Sequence, residues 1–195
     1  MCLKSLFTEL ADLFSGPQSI EAHAREALLE AQFDLVPPKD TNLLAKPFLE
    51  VMARVDALPI CDLIAKLPFN WAPPQTSHDP LYIKHSEAKA HVELLGPGGL
   101  VKSDRVRLGL YGMLPNAEYG NRTHPAEETY IILAGDSYWK HDNAPYSLLL
   151  PGERSYHPSM MPHASRTKET AFMSVYVWQG DISVDNYEYH GIPVD

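Results

Sequence analysis

The chain has 195 residues, with 45% hydrophobic and 21% charged positions, sixteen Lys and Arg against twenty-five Asp and Glu, and a formal net charge of −9. That composition fits one good-sized domain with a single core and excludes overall disorder or a fibrous repeat. The acidic balance argues against nucleic acid or an anionic membrane as partner, because both draw affinity from clustered cations.

Leu3, Leu6, Phe7, Leu10, Leu13 and Phe14 recur at three and four, which predicts a helix over Leu3–Phe14, stopped by Gly16-Pro17. Ser19 is the expected N-cap of a second helix carrying Ile20, Ala24, Ala27, Leu28 and Ala31, ended before Pro37-Pro38. A third is expected from Pro47 to Ala57, with Leu49, Met52 and Val55 packed, and a helical turn at Asp62–Leu67. The stretch Pro68 to Pro80 breaks regular structure.

From Leu81 the pattern changes to short runs rich in Val, Ile, Tyr and Leu. Arg105–Tyr111, Glu128–Leu133, Tyr146–Leu150 and Ala171–Trp178 read as strands, separated by turns at Pro97-Gly98-Gly99, Ala134-Gly135-Asp136, Asp142-Asn143 and Pro151-Gly152. Strands this close, with no helices between them, predict an antiparallel sandwich or barrel. The expected fold class is mainly β, with a helical subregion over residues 1–75 laid against a barrel over residues 76–195. No window approaches eighteen apolar residues and the N-terminus lacks a signal pattern, so a cytoplasmic location is expected. Cys2 and Cys61 are too few for a disulfide scaffold.

His23, His78, His85, His91, His141 and His190 have no nearby ligand partner and read as surface or hydrogen-bonded histidines. His124 and His163 differ. Strand alternation puts Glu128, Tyr130 and Ile132 on one face, and Pro125 supplies a bend that brings His124 over it. One imidazole and one carboxylate make a weak metal site, and His163, after Pro162, is the candidate third ligand. Trp178 shares parity with Phe172 and Tyr176 on a face opposite Met173, Val175 and Val177. Tyr138 and Trp139 read as an aromatic pair at the rim or an interface.

These residues resemble the cupin superfamily. His124, three residues, Glu128, six residues and Gly135 match the latter part of the first cupin motif, with Arg122 where its first His stands and Asn116 where its first Gly stands. Gly152, Pro158 and His163 match the second motif, with Met160 at its second Gly and Thr167 at its Asn. The run from His124 to Gly135, with Tyr130 two residues past the Glu, is similar to the cupin dimethylsulfoniopropionate (DMSP) lyases of the DddQ type. The resemblance implies a jelly-roll (double-stranded β-helix) barrel and a metal held by His124, Glu128 and His163. Tyr130 would be a fourth ligand or the catalytic base, and Tyr119 an alternate base or an orienting hydroxyl. It implies one divalent transition metal, zinc as isolated, with iron, manganese, nickel or cobalt as alternatives. It implies a small sulfonium carboxylate as substrate, cleaved to dimethyl sulfide and acrylate, with Trp178 in the pocket. Edge-strand pairing of the kind found in this superfamily would give a homodimer.

Arg122 cannot ligate a cation as imidazole does, so the expected set is two His and one carboxylate with open positions. Arg122 is either a fork for the substrate carboxylate or a side chain turned to solvent or Glu127. The alternatives to a lyase are a cupin isomerase or dioxygenase acting on another small carboxylate, and a non-catalytic cupin that binds a small ligand.

Overall fold

A computed structural model describes residues 2–33 and 41–193. Among the described residues four helices precede the barrel: α1 (Leu3–Leu13), α2 (Ser19–Leu29), α3 (Lys46–Met52) and α4 (Cys61–Ile64). A fifth, α5 (Pro80–Ser86), leads into it. In α1 the expected stripe is buried through Leu6, Phe7, Leu10 and Ala11. The N-cap of α2 is Gln18, the last residue in extended conformation, and Ser19 is already in the first turn. Pro37-Pro38, expected to end that helix, lies outside the described residues.

Two local expectations are corrected. Helix α3 starts one residue early and ends at Met52, so its packed face is Phe48, Val51 and Met52. Leu49 is instead 41% exposed, and Val55, beyond the helix, fully so. The chain after Leu81 opens with α5 rather than a strand, because the Asp79 carboxylate accepts from the backbone N–H groups of Leu81 and Tyr82 while Pro80 occupies the first turn.

The strands are β1 (Lys89–Gly96), β2 (Val101–Lys102), β3 (Val106–Met113), β4 (Glu118–Thr123), β5 (Glu127–Ala134), β6 (Ser137–His141), β7 (Ser147–Leu149), β8 (Arg154–His157), β9 (His163–Arg166), β10 (Phe172–Gln179) and β11 (Glu188–Gly191). They form a six-stranded sheet in the order β2-β1-β3-β10-β5-β8 and a five-stranded sheet in the order β11-β4-β9-β6-β7. Consecutive strands β3 to β6 alternate between the sheets, which is jelly-roll connectivity. The fold is therefore mainly β with N-terminal helices, as expected.

Strand alternation sorts the apolar side chains into two cores. Leu108 and Leu110 of β3, Ile131 and Leu133 of β5, and Val175 and Val177 of β10 face the helices and join Leu6, Phe7, Leu10 and Leu28. The opposite parity of the same strands, Tyr111, Tyr130, Ile132, Phe172, Tyr176 and Trp178, forms an aromatic core between the sheets. The barrel interior is thus the aromatic face of β10.

All four motif glycine positions, Asn116, Gly135, Gly152 and Met160, keep a positive φ whatever residue fills them. Gly135 has φ 77°, and a Cβ there would lie 2.1 Å from the Ala171 carbonyl oxygen. Asn116 and Met160, at the two substituted positions, have φ 55° and 62°. The left-handed region is tolerable for Asn and strained for Met, by about 1 kcal/mol. Met160 sits there because its N–H donates to the His124 carbonyl at 2.9 Å, tying the turn before β9 to the turn before β5.

Candidate active site

Residues from both sheets converge inside the barrel. Glu128 on β5, His163 at the start of β9 and His124 in the turn between β4 and β5 are all 2% exposed or less. One side-chain ligand atom from each lies within 4.8 Å of the others. The Nε2 atoms of His124 and His163 stand 3.4 and 3.1 Å from Glu128 Oε2.

The proton positions follow from the outer partners. Nδ1 of His124 meets the Ala126 carbonyl at 3.0 Å, and Nδ1 of His163 meets the Met161 carbonyl at 2.8 Å. A carbonyl only accepts, so both Nδ1 atoms carry a hydrogen, and in the neutral form of either ring Nε2 presents a bare lone pair. Burial pushes the His163 imidazole well below its ordinary value, with His157 and Arg122 acting in the same direction, so that ring is neutral. Both Nε2 atoms are buried without a hydrogen-bond partner. Two lone pairs and a carboxylate oxygen facing one another repel unless a cation sits among them, and this donor set fits a divalent transition metal.

Glu128 is clamped from behind. Trp178 Nε1–H donates to Oε1, and His157 Nδ1 lies 2.9 Å from Oε2. The Trp178 ring also stacks on His124 at 4.2 Å between centroids.

A cavity of about 490 Å³ opens onto this cluster, lined by Glu128, Tyr130, Arg122, Tyr119, Tyr111 and Trp178 among others. Arg122 is 1% exposed and its guanidinium lies over the Tyr119 ring, so it does not point to solvent. Its Nη1 makes only long contacts, 3.5 Å, to the Gly120 and His163 carbonyls, and its Nη2 has no partner. Burial works against the guanidinium charge, but the oxygens of Tyr119, Tyr130, Tyr187 and Glu128 outweigh it and hold it protonated. The guanidinium lies 3.8 Å over the Tyr119 ring, as does Lys89 Nζ. Lys89 is 4% exposed, and burial, with Arg122 nearby, pushes its amine down to about 6.

Tyr130 shares the inward face of β5 with Glu128 and packs its ring 4.6 Å from Trp139 and 5.9 Å from His157. Burial pushes its phenol well above the ordinary value, Glu128 adds to that, and Arg122 opposes it. The Tyr119 hydroxyl meets the Tyr187 hydroxyl at 2.7 Å.

Glu128, Tyr130, Tyr119, Arg122 and Trp178 thus line the cavity, and His124 and His163 join Glu128 in the buried cluster beside it. Trp139 is a correction: it is fully buried beside Tyr130, while half-buried Tyr138 faces outward under Lys168 Nζ. Alternation along β6 separates neighbours that the sequence suggests as a pair. Sequence reasoning passed over His157, Lys89 and Tyr187. The signal for His157 is its cross-strand pairing with Glu128, which becomes visible only once β5 and β8 are in register.

Several comparisons bear on the family. Residues 49–174 match the model of the dimethylsulfoniopropionate lyase family. A dimethylsulfoniopropionate lyase DddQ of Ruegeria pomeroyi is 39% identical over 89 residues, a match spanning 46% of this chain and 44% of that protein. The crystal structure of DMSP lyase DddQ from Ruegeria pomeroyi DSS-3 superposes with a TM-score of 0.61 at 28% identity, covering 91% of this chain and 93% of that one. A structure reported with the DMSP lyases RdDddP and RnDddQII gives a TM-score of 0.65 at 21% identity over 97% of this chain and 100% of that one, and supports the fold. Since the family model takes in well over half of the sequence, including His124, Glu128, Tyr130 and His163, the chain belongs to the dimethylsulfoniopropionate lyase family.

Proposed function

We propose that this protein is a metal-dependent carbon–sulfur lyase that cleaves DMSP to dimethyl sulfide and acrylate, with His124, Glu128 and His163 as the metal ligands. The observation that carries the reading is the pair of bare, buried imidazole nitrogens facing Glu128 Oε2 at the end of an aromatic cavity that holds one buried guanidinium. Zinc, iron, manganese, nickel and cobalt all suit two His and one carboxylate. The metal centre is assigned to the barrel over residues 76–195, with residues 1–75 as its helical support.

The substrate is a carboxylate at one end and a sulfonium at the other. The Arg122 fork, with Nη2 unpartnered, suits the carboxylate, and the faces of Trp178 and Tyr176 suit the sulfonium. Tyr130 is the base: its phenolate oxygen takes the proton alpha to the carboxylate. The C–H electron pair becomes the new C=C bond, and the Cβ–S pair leaves on sulfur as neutral dimethyl sulfide. A divalent cation held by the three ligands would supply Lewis-acid stabilisation of charge building on the carboxylate and would favour the phenolate. Burial raises the Tyr130 phenol, so the base depends on nearby positive charge, and Arg122 contributes part of it. Tyr119, with the Arg122 guanidinium and the Lys89 amine each 3.8 Å from its ring and its hydroxyl bonded to Tyr187, orients the substrate.

Incubating the purified protein with DMSP and each of Zn, Mn, Fe, Co and Ni in turn, then assaying the headspace and solution, is expected to give dimethyl sulfide and acrylate in equal amounts. Neither product with any metal would end the lyase reading. For Arg122→Ala, the KM for DMSP is expected to rise about 10- to 100-fold, the worth of a charge-assisted pair, while the KM for the methyl ester stays near that of the unmodified protein. An unchanged preference between acid and ester removes Arg122 from carboxylate binding.

No helix among the described residues is long and apolar enough to cross a membrane. Edge-strand pairing into a homodimer and a cytoplasmic location remain parts of the proposal.

A further inference from the structure

Resting on the metal site proposed above, we infer that His141, Ser155 and His157 form a directed hydrogen-bonded column that fixes Glu128 in its ligating position, with His157 as the positioning residue. His157 Nδ1 lies 2.9 Å from Glu128 Oε2, His157 Nε2 lies 2.9 Å from Ser155 Oγ, and Ser155 Oγ lies 2.7 Å from His141 Nε2. Glu128, His157 and Ser155 are all 1% exposed or less, and His141 at the far end is partly exposed.

The direction of the column follows from its end. A carboxylate only accepts, so His157 Nδ1 is the donor, and its Nε2 must accept the Ser155 hydroxyl proton. Ser155 has one proton to give, so it accepts from His141 Nε2–H. All three bonds therefore point toward Glu128. Both ring nitrogens of His157 are then committed, which keeps it out of the ligand set although its ring stacks on His163 at 4.0 Å.

Strand geometry explains why these residues meet. Glu128 on β5 is the cross-strand partner of His157 on β8, and Ser155 follows two residues back on the same inward face. His141 on β6 is the cross-strand partner of His163 on β9, so the column runs between the two sheets. His157 holds Oε2, the oxygen nearest both bare imidazoles, while Trp178 holds Oε1. A carboxylate held at both oxygens cannot rotate away from the position a cation requires, and outer partners of this kind carry a large share of metal affinity.

The test needs no turnover. In the metal-free protein, long-range ¹H–¹⁵N correlations are expected to show His157 as the Nδ1–H tautomer and His141 as the Nε2–H tautomer. Binding of Co(II), measured by competition with a chelator, is expected to weaken about 10- to 100-fold in His157→Phe, which keeps the ring shape and removes the donor. His157→Gln, whose amide N–H can still donate, is expected to recover most of that loss. Ser155→Ala, which touches no ligand, is expected to weaken binding by a smaller factor, and it serves if His157→Phe does not fold. The column is overturned by an Nε2–H tautomer at His157, or by Co(II) binding within twofold of the unmodified protein in both His157→Phe and Ser155→Ala. It is equally overturned if His157→Gln loses metal as completely as His124→Ala, since His157 would then be a ligand. An unmodified protein that binds no Co(II) overturns the metal site and the column together, whereas normal binding with indifferent variants overturns the column alone.

Discussion

Tyr130→Phe is expected to lower DMSP turnover by about 10²- to 10⁴-fold, the usual contribution of a positioned base, while metal content stays at that of the unmodified protein. His163→Ala is expected to lose metal and turnover together. The two variants separate because the side chains act at different points. His163 offers a bare Nε2 to the ligand cluster, and nothing else on β9 replaces it. Tyr130 stands two residues beyond Glu128 on the same inward face, where its phenol lines the cavity. Removing one oxygen leaves the ring in contact with Trp139 and Tyr176, so packing is preserved and the lost rate reports the hydroxyl. Measuring kcat together with bound metal by elemental analysis decides the matter. A Tyr130→Phe protein that keeps most of its rate moves the base elsewhere, with Tyr119 next. A Tyr130→Phe protein that also loses its metal makes the phenol chiefly a ligand.

What the sequence made legible was what period and spacing encode. The stripe of α1, the alternation of β5 and β10, and the approach of His124 to Glu128 across the Pro125 bend are local patterns, and the structure preserves them. Where a pattern was short, phase was lost: in α3 a shift of the helix start moved the buried face from Leu49 and Val55 to Phe48 and Val51. Capping outweighed propensity at α5, where Asp79-Pro80 began a helix in a segment rich in strand formers. His157 and Lys89 carry no local signal, because they meet Glu128 and Tyr119 only once distant strands are in place, and the local contact of Ser155 with His157 gains meaning only from that pairing. Arg122 lay between: its position in the motif was visible, but its burial over Tyr119 depends on how the two sheets close.

Removing Arg154 is expected to destabilise the fold by about 3–5 kcal/mol, more than removing its partner Glu21, because the two ends of this pair are buried unequally. Glu21 on α2 has no side-chain exposure, while Arg154 on β8 retains 31%. Glu21 Oε1 accepts from Arg154 Nε at 2.8 Å and Oε2 accepts from the Gly16 N–H at 2.8 Å. Arg154 also donates to the Leu13 carbonyl at 2.8 Å, so the pair joins the end of α1, the start of α2 and the barrel. After Glu21→Ala the guanidinium can turn to water, which limits the loss to about 1–3 kcal/mol for the hydrogen bonds left unmade. After Arg154→Ala the carboxylate stays buried, with one backbone donor in place of a full charge partner. Urea denaturation of both single variants and of Glu21→Ala/Arg154→Ala closes the cycle, and the double variant is expected to lose less than the sum of the two. Equal costs for the single variants, or strict additivity, would mean that the ion pair does not couple helix to barrel. Along β8, Arg154 faces the helices while Ser155 and His157 turn inward toward Glu128. The strand that backs the proposed metal ligand is therefore the strand the helical subregion grips, so loosening Arg154 is also expected to raise hydrogen exchange at Ser155 and His157 before it affects β3 or β10 at the centre of the sheet.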